Sequence, residues 1–266
     1  DNSGQLYALS GADYVPVPLP GTDSRVEERR AEASLVHGRP LTDNLSVQAS
    51  LGGEYSELSQ TGANGLTREF VRPKGFVALS WNSRANWDAT FRVERAVGQL
   101  DFADFITSVQ LNNDQNQTNG GNPNLVPEQS WDTELVVNAQ TDWSGPVKLR
   151  LYYRAIEDVN DKILIERIVN GDGSISILEG EGNLESAIDY GIEISGTYSL
   201  SSLLPGAKVD WFYLLSEQRV DDPITGQTRM LSQIDFDKID IKFRQDIPNS
   251  FWAWGADFLA FRGSGL

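Results

Sequence analysis

From Trp87 to Glu94 the chain alternates without a break. Trp87, Ala89, Phe91 and Val93 are apolar, and Asp88, Thr90, Arg92 and Glu94 between them are polar. The same period of two runs through Val147–Ala155, through Ile188–Tyr198 and through Ile239–Arg244. One apolar face and one polar face at period two predict an antiparallel sheet. About ten clear strands are expected from Arg25 to Arg262, each about ten to fourteen residues long, roughly twice the globular mode. Lengths near ten suit a tilted strand that crosses a bilayer. One or two weaker strands fall in Leu6–Pro20, where Pro16, Pro18 and Pro20 argue for an edge or a loop.

The connections add a second pattern. Short turns are expected near Gly38–Asn44, Asn82–Asn86, Asp142–Pro146, Ser201–Gly206 and Asp246–Ser250, all rich in Pro, Gly, Asn, Asp and Ser. Between them lie longer loops, near Ser56–Arg68, Gly98–Ser130, Glu157–Ser186 and Glu217–Met230. Short and long alternate, so an up-and-down meander puts every long loop at one end. That asymmetry belongs to membrane barrels, whose turns are short on one side and long on the other. Within the third loop, Asn170-Gly171-Asp172-Gly173 signals a turn, and a small separate hairpin is expected there.

Composition narrows the function classes. Hydrophobic residues make up 39% of the chain, and no apolar run reaches the ~18 residues of a membrane helix. The net charge is −16, which lacks the basic footprint of nucleic-acid binding. The stretch from Glu157 to Glu193 holds ten acidic and two basic residues, a solvated surface or a cation site. Asp158, Asn160, Asp161 and Asp172 offer oxygen ligands of the kind Ca²⁺ takes, but their spacing fits no EF-hand loop, and turn formation is the plainer reading. With no Cys and one His, His37, thiolate chemistry is excluded and a His-based triad has a single candidate. No phosphate-binding glycine loop is present. We expect no enzyme, no cofactor and no catalytic residue.

The most informative segment is Gly120-Gly121-Asn122-Pro123-Asn124-Leu125-Val126-Pro127-Glu128, which leads into the alternating strand Trp131–Gln140. Further on come Gly182-Asn183-Leu184 and Tyr190-Gly191-Ile192-Glu193. Together they resemble the TonB-dependent outer-membrane receptors of Gram-negative bacteria. The resemblance covers about Arg72 to Tyr198, and the strand rhythm extends it to most of the chain. It implies an outer-membrane location, nutrient uptake of the siderophore, cobalamin or carbohydrate class, and coupling to the TonB system through a plug domain. Nothing in 1–266 resembles that plug, so the whole stretch is expected to be part of a barrel, an open and strongly curved sheet.

The fold class that follows is all-β, an antiparallel up-and-down meander of about ten to twelve long strands from a transmembrane barrel. Asp88, Arg92, Glu94, Glu134, Lys148, Arg150, Arg154, Glu193, Lys242 and Arg244 should face the lumen. Of these, Arg92, Arg154, Arg150 and Glu94 are the candidates for touching cargo, because Arg presents a planar donor fork to carboxylates and chelates. The resemblance segment itself is read as structural: Gly121, Asn122, Pro123, Asn124, Leu125, Pro127 and Glu128, with Gly191 and Glu193. Pro123 and Pro127 fix their own φ and extend the residues before them. Trp87, Trp131, Tyr153 and Tyr198 should meet lipid or its interface. The competing readings are a soluble carbohydrate-binding module, which needs its apolar face covered by protein, and a passive porin.

Overall fold

The computed structural model describes residues 6–10, 13–17, 25–61, 66–83, 86–100, 109–112, 117–120, 122, 124–141, 145–169, 175–223, 226–232 and 237–262. Gly121, Pro123, the turn Asn170–Gly173 with Asp172, and 263–266 lie outside them. The described residues form strands and connections, with no helix among them.

Two short strands, β1 (Leu6–Ser10) and β2 (Asp13–Val17), pair as a separate hairpin. The rest is one sheet. Its strands are β3 (Arg25–Pro40), β4 (Leu45–Thr61), β5 (Leu66–Asn82), β6 (Trp87–Val97), β7 (Val109–Asn112), β8 (Gln117–Gly120), β9 (Gln129–Thr141), β10 (Gly145–Val169), β11 (Ile175–Ser199), β12 (Ala207–Asp221), β13 (Thr228–Arg229), β14 (Asp237–Asp246) and β15 (Ala253–Arg262). Ten long strands run in the order β3-β4-β5-β6-β9-β10-β11-β12-β14-β15, each antiparallel to its neighbours. The up-and-down meander read from the alternation is therefore present, and the sheet is open, with β3 and β15 at its edges. β8 adds to the upper end of β11 in parallel, and β13 extends the edge of β12.

The register fixes the two faces. Arg92 lies opposite Glu134, Glu134 opposite Tyr152, and Tyr152 opposite Gly191, so one polar row crosses four strands. The other face carries Leu35, Leu51, Val77, Leu79, Phe91, Leu151, Ile192, Leu215, Ile239, Ile241 and Phe258, all exposed. On β10 this apolar band runs from Val147 to Ala155, about 30 Å along the strand at the usual rise. Trp81 and Trp87 sit at its short-turn end, with ring centroids 5.4 Å apart. Trp131 and Tyr153 sit at the other end and are also exposed. An apolar band flanked by aromatic residues is the lipid-facing surface of a membrane barrel. The soluble module would need this face covered by protein, and among the described residues it is exposed.

Two expectations are corrected. The long strands are not limited to about ten to fourteen residues: β14 has 10, but β4 and β5 have 17 each and β10 and β11 have 25 each. The regions read as loops at Ser56–Arg68 and Glu157–Ser186 are largely strand, leaving only 62–65 and 170–174 between the paired elements. The third loop is thus no separate hairpin but the continuation of β10 and β11 beyond the bilayer. Asp158, at φ 56°, marks where it departs from simple alternation. Below it Ile156 and Ala187 are buried on the inner face; above it Val159, Asp161 and Leu184 are. A single left-handed residue has moved the inward phase by one position, and Asp tolerates that conformation better than most residues.

The core sits inside the long-loop end. Ile156, Val159, Leu184, Ala187 and Val220 form one cluster, with Ile163 and Leu231 packed against it. Glu54, Ser56, Leu58 and Gln60 of β4 and Phe70 of β5 are buried on the same concave face.

Candidate functional site

The lumen-facing wall is charged, and its charges are paired. Arg150 bridges Glu134 and Glu193, the latter at 2.5 Å. Arg154 lies 3.2 Å from Asp132 and 3.9 Å from Asp189. The Arg92 Nε donates to Glu94 at 2.9 Å, and the guanidinium sits 3.6 Å from the centre of the Phe76 ring. On the neighbouring strands Glu54 accepts from Arg30 and, at 3.1 Å, from Lys74, which also reaches Glu32 at 2.8 Å. Lys242 is 3.2 Å from Asp240, and Arg244 is 2.7 Å from Asp246. The structure thus places Arg92, Glu94, Arg150 and Arg154 together on one wall, each with a counter-charge. Lys148 has no ion pair among the described residues.

Gly191 and Glu193 belong to this wall. A Cβ at Gly191 would lie 2.6 Å from the Leu215 carbonyl oxygen and 2.7 Å from the Tyr152 hydroxyl. The bare glycine lets the Tyr152 ring lie across β11, where Arg150 sits 4.6 Å from the ring centre. Glu193, two residues on, holds the other side of Arg150. The Gly-x-Glu pair is therefore one packing device.

The Asn122–Glu128 segment lies on the concave face above this wall. The Asn122 side-chain oxygen accepts from the Asn124 N–H at 2.9 Å and makes a turn. Leu125 is 0% exposed and Pro127 is buried. Arg68 of β5 donates to the carbonyls of Asn124 at 2.5 Å and Leu125 at 3.2 Å. Asn183 of β11 accepts from the Val126 N–H at 2.8 Å and donates to the Val126 carbonyl at 2.9 Å and the Asp158 carbonyl at 2.7 Å. The Gly98 N–H donates to the Glu128 carbonyl at 2.8 Å, and the Glu128 stem lies against Gly98, leaving no room there for a Cβ. Sequence reasoning singled out both the Asn122–Glu128 segment and Asn183, but not Arg68. Arg68 stands at the end of the stretch read as a loop, where no strand phase marks it, whereas it lies in β5.

The described residues of the acidic stretch are engaged by other partners. Among the described residues no group of three or more His, Cys, Asp or Glu could hold a metal ion. Asp161 is engaged instead by Arg229, at 2.6 Å, and by the Ser232 N–H at 2.9 Å. Asp158 faces Arg72 at 3.8 Å. Arg229 also reaches Asp222 at 3.2 Å and the Lys162 carbonyl at 2.8 Å. Burial works against its charge, but Asp161 and Asp222 outweigh that and hold its pKa above the ordinary guanidinium value. The β12–β14 connection is thereby latched to the β10–β11 hairpin.

No curated protein sequence matches the chain. Solved structures that share the fold include the following three. The copper transporter OprC superposes with a TM-score of 0.66 at 14% identity, over 96% of this chain and 39% of OprC. The alcaligin outer-membrane receptor FauA from Bordetella pertussis gives 0.57 at 13% identity, over 89% of this chain and 38% of its own length. The FrpB iron transporter from Neisseria meningitidis gives 0.57 at 12% identity, over 85% and 32%. The chain therefore spans less than two fifths of each of these proteins. The sequence profile of the outer membrane protein beta-barrel family matches residues 102–249, more than half of the chain. An apolar outer band, a polar inner wall and that match agree: the chain belongs to the outer membrane protein beta-barrel family and lies in the outer membrane.

Proposed function

We propose that residues 1–266 are part of the barrel domain of a TonB-dependent receptor that imports a scarce nutrient across the outer membrane. The observation that carries this reading is the meeting of two segments that separately resemble that family. Asn122–Glu128 and Gly182–Glu193 are far apart in the chain, and Asn183 joins them through both polar groups of Val126. The paired charges of the inner wall add support. A wall that neutralises itself suits a lumen filled by a folded plug and water. In this reading Arg92, Glu94, Arg150 and Arg154 line the path as a polar surface, and cargo meets them beside their partners. OprC carries copper in its name, FauA alcaligin and FrpB iron. We accordingly place metal ions and their chelates first among cargo classes, ahead of cobalamin and carbohydrate. Uptake of this kind needs no covalent chemistry and assigns no catalytic residue.

The test is uptake of radiolabelled metal chelates by cells carrying the intact gene, a deletion of it, or a deletion of tonB. Receptor function requires uptake at low cargo concentration to vanish in both deletions. Uptake that survives loss of TonB and rises linearly with concentration would establish a passive pore instead.

A further inference from the structure

The contacts of Asn122–Glu128 carry a mechanical consequence. β6, β9 and β10 separate β5 from β11 in the sheet. Four inter-strand steps of about 4.8 Å put the two strands ~19 Å apart along the wall. Asn124 and Val126, which meet Arg68 and Asn183, are two residues apart and span only about 7 Å. The two side chains supply the rest; β6 ends at Val97 and β9 begins at Gln129, so at this level the segment is a chord across the concave wall over the ends of those two strands. The side-chain contact between Arg72 of β5 and Asp158 of β10, across two intervening strands, shows the same concavity.

We propose that Asn122–Glu128 is a tension strap that sets the curvature of the barrel wall at its extracellular mouth, with Arg68 and Asn183 as its two anchors. Leu125, fully buried, seats the strap against the wall. Gln99, at the start of the β6–β9 connection, reaches Glu28 of β3 at 3.1 Å, which extends the fastening toward the edge of the sheet. The anchors differ in kind. Asn183 engages both backbone groups of one residue, Val126, as a neighbouring strand would. Arg68 holds two consecutive carbonyls with a charged donor, the stronger type of hydrogen bond. Both are positioning residues, and the proposal holds whatever the cargo is.

Residues 1–266 contain no cysteine, so the introduced pairs are the only labelling sites within them. One pair, Val71→Cys on β5 and Ile192→Cys on β11, reads the wall through side chains exposed on the lipid face. A second pair, Asn124→Cys with Ile192→Cys, reads the strap against the wall. Distances are measured by pulsed electron spin resonance on the protein in lipid, with and without Asn183→Ala or Arg68→Met. Heat-modifiable gel migration reports that each barrel is folded. Both pairs should give narrow distributions in the parent. Either anchor variant should lengthen the wall distance by several ångströms, and Asn183→Ala should broaden the strap distance about twofold or more. Unchanged wall distances in a folded variant would overturn the strap. Should Asn183→Ala fail to fold, Arg68→Met at the opposite anchor decides the matter alone.

Discussion

At the scale of single residues, the resemblance segments are explained by what each side chain excludes or completes. Leu125 is fully buried where loop and wall meet, so Leu125→Ala leaves a cavity. Buried Leu-to-Ala changes cost about 2–5 kcal/mol, and urea unfolding in lipid vesicles should show a loss in that range. Gly191→Ala fails for the opposite reason, driving a methyl group into the Leu215 carbonyl and the Tyr152 hydroxyl. Overpacking of this kind costs about 1–3 kcal/mol. Tyr152→Ala should relieve only part of it, because the carbonyl remains; full rescue in a double-mutant cycle would contradict the packing described. The sequence made these residues conspicuous but did not say why. Asn183 and Val126 are 57 positions apart, and no local pattern reveals a hydrogen bond of that span. The counter-charges of Arg150 and Arg154 stayed hidden for a related reason, unlike that of Arg92, whose partner Glu94 lies two residues on in the same strand. Both hidden pairings depend on the register between strands, which a single strand does not contain.

At the scale of elements, alternation was legible wherever one face meets lipid and the other does not. β6, β9 and β14 could be read almost to their ends, because within the bilayer every second residue must be apolar. Above the bilayer that demand lapses. Beyond Glu157, Asp158 shifts the inward phase, so the acidic, glycine-bearing sequence reads as loop although it is paired strand. What holds this upper hairpin to its neighbour is the Arg229–Asp161 pair, with Asp161 only 3% exposed. Breaking a buried pair from one side costs about 3–5 kcal/mol, because it strands the other charge. Arg229→Ala should therefore free the 222–232 connection while the sheet below stays intact. Limited proteolysis should cut that connection at least tenfold faster, with heat-modifiable migration unchanged. Asp161→Asn with Arg229→Gln, which removes both charges, should be cut more slowly than Arg229→Ala. Equal cutting rates would assign the latch to the packing of Leu231 instead.

At the scale of the whole molecule, the two faces divide the work. Polar and charged residues on the concave face neutralise one another, and the apolar residues face outward in a continuous band. The net charge of −16 therefore does not come from an acidic lumen wall; much of it comes from the stretch between Glu157 and Glu193, most of which stands beyond the band. This division makes opposite predictions for neighbouring positions on one strand. Leu151 points outward near the middle of the band, and Lys148 points inward without an ion pair among the described residues. An arginine on the lipid face near the bilayer midplane costs about 2–4 kcal/mol, whereas a change in a wet lumen costs within about 0.5 kcal/mol. Leu151→Arg should thus cut the yield of folded protein in vesicles and lower its unfolding midpoint in guanidinium, and Lys148→Gln should do neither. A sheet whose apolar face met water would behave the other way, since the new arginine would raise solubility and leave stability unchanged. Unfolding of the two variants side by side in vesicles of matched thickness decides which face the lipid touches.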